Sequence, residues 1–191
     1  MSVATQDIPL AVDMDGTLIL TDMSWVSIRK VILRKPWLFL TLIRNEISGR
    51  RAKWKRILAS NLRFDPSKLR YHSEFLDWLT GEHAKGREII LATASDRIVA
   101  EQIAGYVGLF SDVMASDGDF NLRGNKKAEA LVSRFGENGF GYAGNSIHDM
   151  DVWKVSAEII VVNPDRAVSY THLRAHETPE HRVCRRVGGK K

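Results

Sequence analysis

Five residues, Asp13-Met14-Asp15-Gly16-Thr17, constrain this chain more than any others. They follow Pro9-Leu10-Ala11-Val12, a short apolar run of the kind that forms a buried strand. In open α/β sheets, ligands bind just outside the carboxyl ends of the strands. A strand that ends in two carboxylates one residue apart, then Gly-Thr, therefore delivers a candidate nucleophile, a candidate acid/base and metal-binding oxygens within three residues. The plainer alternative is an acidic turn in which Gly16 supplies a positive φ. The order of the remaining segments decides between them.

Residues 22–84 carry mostly helical patterning, broken at Pro36, Gly49 and Pro66. Glu88-Ile89-Ile90-Leu91-Ala92 reads as a second buried strand, and Asp96 as the N-cap of a helix to about Val107. Asp112-Val113-Met114-Ala115 reads as a third strand, and Lys126 to about Phe135 as a helix. A strand over Gly139–Ala143, a helix over His148–Ser156 and a last strand over Glu158–Val162 complete the pattern. Strands separated by helices predict a parallel sheet with right-handed crossovers.

The DxDGT run at 13–17 resembles the first motif of the haloacid dehalogenase superfamily, most of whose members are Mg-dependent phosphohydrolases. The resemblance implies an α/β fold: a Rossmannoid parallel sheet with a small helical cap inserted after the first strand. The core would comprise 1–20 and 85–167, and the cap 21–84. The cap position is similar to that in phosphoserine phosphatase, and substrate choice would lie there. Thr93, closing the second strand, corresponds to the second motif, where a hydroxyl can donate to a phosphoryl oxygen; the plainer alternative is that Thr93 and Ser95 merely lead into the next helix. Lys127, at a helix start beside the competing Lys126, corresponds to the third motif, whose point charge would neutralise the transition state. In the fourth motif the sequence departs from the family. Gly144-Asn145-Ser146-Ile147-His148-Asp149 puts an amide where a metal-binding carboxylate usually stands. An amide oxygen can ligate a hard cation but adds no charge, so Asp149 would carry more of the metal's electrostatics, directly or through water. His148 reads as exposed helix surface.

The resemblance implies Mg²⁺ as cofactor, held by Asp13, Asp15 (through its backbone carbonyl), Asn145 and Asp149. It implies hydrolysis of a small phosphorylated molecule through an aspartyl-phosphate, with Asp13 as nucleophile and Asp15 as acid then base. Two alternatives remain: a weak or inactive domain that regulates or positions a partner, which Asn145 favours, and a phosphotransferase using the same intermediate.

Val168 to Thr178 resembles one reading frame of a transposon-based sequencing adapter, and His181 to Arg186 resembles its outer part. Residues 168–191 are therefore expected to be a fused artefact on a truncated gene, without a role in the fold. This tail carries most of the net charge of +5, leaving about +1 for 1–167, so the charge gives no reason to expect nucleic acid as a partner. The single cysteine, Cys184, lies there too. Residues 1–167 thus have no disulfide, thiolate nucleophile or Cys-based zinc site. Residues 1–8 lack a basic, apolar leader, which predicts a cytoplasmic placement.

Residues 29–56 hold ten Lys/Arg and one acid beside the apolar run Trp37–Ile43. That run is too short to span a bilayer; it suits either a cap helix with a solvated basic face or a segment lying on an anionic membrane surface. PLAVDMDGTLILTDMSW, GREIILATASDR, GLFSDVMASDG and GYAGNSIHDMDVW together resemble the N-terminal domain of bacterial membrane proteins in which such a domain precedes a UbiA-family polyprenyl transferase. The resemblance covers nearly all of 8–167, and implies a missing transmembrane domain and a location on the cytoplasmic face of the membrane.

Overall fold

The computed structural model describes residues 8–48, 51–164 and 183–187. The first strand, β1 (Leu10–Val12), is followed by three helices, α1 (Met23–Arg34), α2 (Leu38–Ile47) and α3 (Arg51–Asn61). A 3₁₀ turn at Pro66–Lys68 leads to α4 (Ser73–Ala84) and β2 (Ile89–Asp96). Then come α5 (Arg97–Val107), β3 (Asp112–Ser116), α6 (Asn125–Phe135) and β4 (Gly141–Gly144). The one-turn α7 (Met150–Trp153), β5 (Glu158–Val162) and β6 (Val183–Val187) end the order.

The strands form one sheet in the order β3-β2-β1-β4-β5-β6, and every neighbouring pair is parallel. Alternation along the strands explains two cores. Leu10, Val12, Leu91 and Ile160 face one cluster with α4 (Phe75, Leu79) and α5 (Val99, Ile103). Ala11, Ala92, Ile159 and Val161 face the other with α6 (Leu131) and α7 (Val152, Trp153). A parallel sheet covered on both faces accounts for the near-continuous apolar runs seen in the sequence. Leu58 and Leu62 from the helical insertion join the first cluster, so the insertion is packed on the sheet core through α3.

Three expectations are corrected. β2 runs beyond Ala92 to Asp96, because pairing with β3 continues at Thr93↔Ala115 and, after a register shift, at Asp96↔Ser116. The helix expected over 148–156 is a 3₁₀ turn at Ile147–Asp149 followed by α7, because Ser146 and Asp149 cap each other and tighten the first turn. The tail does not stay wholly outside the fold: Val183–Val187 pairs with Glu158–Val162 as a sixth strand. An open sheet edge offers unpaired main-chain groups to any extended segment, whatever its side chains. The rest of 168–191 lies outside the described residues.

At the amino ends of the strands, Arg87 is buried and clamps three parts of the chain together. Its guanidinium donates to Glu82 of α4 at 3.0 Å, to Glu158 of β5 at 2.6 Å and to the Ile8 carbonyl before β1 at 3.0 Å. A Cβ on Gly141 would lie 2.8 Å from this guanidinium, so the glycine makes room for the clamp. Burial pushes the Glu82 carboxyl up, but the bonds from Lys85 and Arg87 outweigh it and hold the group below its ordinary 4.5. That contribution is whole above pH 4.5 and is lost as pH falls through the lower folded value. Arg87→Met leaves two buried carboxylates without their common cation and should cost about 3–5 kcal/mol at neutral pH. Urea denaturation should show this loss, and it should shrink at low pH, where Glu82 takes up a proton.

Candidate active site

The chain runs from β1 to β2 and β3 on one side, then crosses to β4 on the other side of β1. The carboxyl ends of β1 and β4 therefore flank the point where strand order reverses, the usual position of a ligand crevice. Asp13 follows β1 there and is 8% exposed. A cleft of about 420 Å³ opens over it, lined by Asp13, Asp15, Thr93, Lys127, Asn145 and Asp149 among others. All six residues singled out from the sequence thus share one cavity.

Lys127 reaches this point from the first turn of α6. Its Nζ donates to Asp13 Oδ1 at 2.7 Å and to the Tyr142 hydroxyl at 2.8 Å. Lys126, one position round the helix, lies exposed over the Phe120 ring. Tyr142 in turn donates to Asp149 Oδ1 at 2.7 Å, so an acid, a cation, a phenol and a second acid form a buried chain. Burial lowers the proton affinity of Lys127, but Asp13 and Asp149 reverse that and raise its pKa. The ammonium stays charged. Burial and the two neighbouring acids push the Tyr142 phenol well above its ordinary value, so it stays a donor.

Asp13 is pulled both ways. Burial pushes its carboxyl up, Lys127 pulls it down and Asp149 pushes it up again, leaving it at about 7. Asp15 is raised chiefly by burial, although Ser95 and the Met23 amide oppose this. Its Oδ2 accepts from Ser95 Oγ at 2.6 Å and its Oδ1 from Met23 N at 2.7 Å, which fixes the carboxyl between the start of α1 and β2. Thr93, 1% exposed, accepts the Ser95 amide on Oγ1 at 3.0 Å and keeps its own proton for donation.

Asp149 is also buried. Its Oδ2 accepts the amides of Asn145 and Ser146 at 3.1 and 3.0 Å, and Tyr142 takes Oδ1. With both oxygens engaged, it orients the loop that carries Asn145. The Asn145 side chain occupies the notch left by Gly16: a Cβ there would lie 2.3 Å from Nδ2. Gly16 also has φ +84, so two separate constraints demand glycine. Thr17 Oγ1 lies 3.4 Å from Asn145 Oδ1, a weak bond. His148 is exposed at the cleft rim.

Sequence reasoning missed Tyr142, Lys55 and Arg123. Lys55, on α3, donates to the Ala94 carbonyl at 2.7 Å and to Asn121 at 3.3 Å, which brings the insertion over the carboxyl end of β2. A tyrosine inside an otherwise apolar strand was the available signal, since a buried phenol needs a partner. Nothing local distinguishes Lys55 from the basic residues around it.

Residues 10–153 match the model of the haloacid dehalogenase-like hydrolase family. The chain belongs to that family. It is 34% identical over 155 residues to the uncharacterized protein y4nM of Sinorhizobium fredii, a stretch covering 81% of this chain but 30% of that protein. Among solved structures it resembles a protein of unknown function from Bordetella pertussis (TM-score 0.64, 15% identity, 92% of this chain and 97% of that one). It also resembles a substrate-bound phosphoserine phosphatase (TM-score 0.59, 13% identity, 93% and 92%). A phosphoserine phosphohydrolase-like protein from Francisella tularensis is similar as well (TM-score 0.57, 14% identity, 86% and 92%). At these identities the solved structures share the haloacid dehalogenase fold with this chain.

Tyr142→Phe keeps the ring and removes the hydroxyl between Lys127 and Asp149. It should cost about 1–3 kcal/mol, the range for leaving buried polar groups unpaired, measured by chemical denaturation. An unchanged midpoint would mean that the Lys127–Asp149 contact alone sustains the chain of charges.

Proposed function

We propose that this haloacid dehalogenase domain hydrolyses a small phosphomonoester through an aspartyl-phosphate on Asp13. The observation that carries the reading is the buried contact of Lys127 with Asp13 in the switch-point cleft. The cation offsets the repulsion between a carboxylate nucleophile and a phosphate dianion.

The chemistry follows from the positions of the side chains. The Asp13 carboxylate attacks phosphorus as the bond to the leaving oxygen breaks, and Asp15 gives that oxygen its proton. Burial of Asp15 raises its pKa and so favours the protonated start. Water then attacks the phosphorus of the acyl phosphate, Asp15 takes the water's proton, and the bond to Asp13 breaks to release phosphate. Lys127 and the Thr93 hydroxyl hold the phosphoryl oxygens, and Lys55 and Arg123 add positive charge to the cleft wall.

The donor set suits a hard cation. The Asp13 carboxylate, the Asp15 backbone carbonyl and Asn145 Oδ1 are all oxygens, the chemistry Mg²⁺ takes. Asp149 would act on such an ion through its charge, because its own oxygens are engaged. Bound there, Mg²⁺ would supply further positive charge against the phosphate. Among the described residues no three His, Cys, Asp or Glu side chains form a metal cluster, so Asn145 makes this a weakly charged site. That observation supports the second reading, a weak or inactive domain that positions a partner.

We further propose that the domain precedes a UbiA-type transmembrane domain in a longer protein, with 168–191 as adapter-derived sequence. The motif set quoted above supports this, as does the length of the y4nM relative. Among the described residues no helix is long and apolar enough to cross a membrane.

Release of phosphate from an aryl phosphate, with Mg²⁺ added and withheld, tests the hydrolase. Asp13→Asn should abolish turnover while leaving the fold intact. A variant keeping a tenth of the original kcat excludes Asp13 as nucleophile, and an original protein with no turnover on a broad phosphomonoester panel favours the positioning role. Asn145→Asp replaces a neutral ligand with a charged one, so half-maximal activity should come at lower Mg²⁺. An unchanged Mg²⁺ titration would remove Asn145 from the ligand set.

A further inference from the structure

Helix α2, none of whose described residues lines the cleft, exposes apolar side chains. Leu40 is 74% exposed and Ile47 82%, and Ile43 lies between them at helical spacing. Leu38, on the opposite side of the helix, packs towards the core, so the outward stripe is not this helix's buried face misread. Leu33 and Trp37, at the corner between α1 and α2, are 77% and 66% exposed. Five large apolar side chains displayed together on one small insertion are costly in water and mark an interaction surface.

The same corner carries a cationic hollow. Arg34, Lys35 and Arg63, with Ser60 and Asn61, line a cavity of about 330 Å³, and among the described residues no carboxylate lines it. Lys35 Nζ donates to Asn61 Oδ1 at 2.6 Å, which holds one wall of the hollow in place. In the chain, Arg34 and Lys35 stand between Leu33 and the Pro36-Trp37 pair, so cations and apolar side chains emerge from one turn. Arg44 adds a further exposed cation on α2.

We propose that this corner docks on an anionic lipid bilayer, with Arg34, Lys35 and Arg63 gripping a phosphate headgroup while Leu33, Trp37, Leu40 and Ile47 enter the acyl boundary. Charge complementarity selects the occupant. A protein partner would be served by the apolar stripe alone, whereas a three-cation hollow beside the stripe matches a surface with phosphate above hydrocarbon. Trp37 fits that boundary, since its ring is apolar and its N–H is not. The inference is independent of the hydrolase reading. It is also separable from the attached transmembrane domain, because a tethered domain needs no headgroup site.

Flotation of the full chain with phosphatidylcholine vesicles, with and without phosphatidylglycerol, tests it. Binding should appear with the anionic lipid, be weak without it, and fall as salt is raised. Each cation near such a surface contributes about 1 kcal/mol, or roughly fivefold in partitioning. The combined variant Arg34→Gln/Lys35→Gln/Arg63→Gln should therefore lose on the order of a hundredfold, and Leu40→Ser/Ile47→Ser should also lose binding with every cation retained. All five positions are on the surface, and an unchanged thermal melt checks the fold. Equal binding to neutral vesicles, binding that salt leaves intact, or full retention in the cation variant would overturn the proposal. Binding of glycerol 3-phosphate in solution by a chain that does not float with the anionic vesicles would overturn it as well, showing a hollow that takes a free phosphate. Loss of vesicle binding alone leaves phosphate release from the aryl substrate untouched, so the two readings fail separately.

Discussion

The contact between the Lys127 ammonium and the Asp13 carboxylate is the constraint around which the rest is arranged. Both groups are buried, and a buried charge is tolerable only with a partner. The pair therefore requires the first turn of α6 to lie at the end of β1. Tyr142 and Asp149 extend the requirement to β4 and the turn after it. One ammonium serves two acids and a phenol, so removing any member leaves the others underpaired. The Lys127 charge offsets part of the burial that pushes the Asp13 carboxyl up to about 7.

The two ends of the sheet divide the work. At the amino ends, Arg87 joins α4, β5 and the residue before β1, away from the lining of the cleft. Its role is cohesion. At the carboxyl ends the buried charges instead line a cavity open to solvent. A parallel sheet puts the ends of all its strands on the same side, so a residue there can meet a ligand held by several strands at once. The insertion closes one flank: Lys55 bonds to the end of β2 and the first core cluster includes Leu58 of the same helix. Packing thus places a basic side chain over the cleft, while among the described residues Leu40 and Ile47 of α2 stay exposed.

Local chemistry made much of this legible before any folding. Asp13 and Asp15 follow a strand that four apolar residues announce, and Thr93 lies towards the carboxyl end of another. Asp96 caps α5 as its residue type suggested, accepting the Ile98 amide. Where the expectation for 148–156 failed, a short-range event decided it, since reciprocal capping by Ser146 and Asp149 replaced the helix start with a 3₁₀ turn. The adjacent lysines show the limit of local reading. Residues one apart on a helix point about 100° from each other, so phase alone sends Lys127 inward and Lys126 out. That phase is set by which face of α6 packs on the sheet.

The sequence by itself determined the strand-helix alternation, and with it a parallel sheet, and it placed two carboxylates at the end of the first strand. It also placed an amide, Asn145, where the motif it resembles usually has a carboxylate. Those properties depend on residue type and on neighbours a few positions away. Only the tertiary structure decided that Tyr142 links Lys127 to Asp149, that Arg87 answers Glu82 and Glu158, and that Asn145 fills the notch at Gly16. The reason is sequence separation. Gly16 and Asn145 lie far apart in the chain and meet only because β1 and β4 are neighbours in the sheet, a pairing set by how the helices cover both faces and not by any residue near either one.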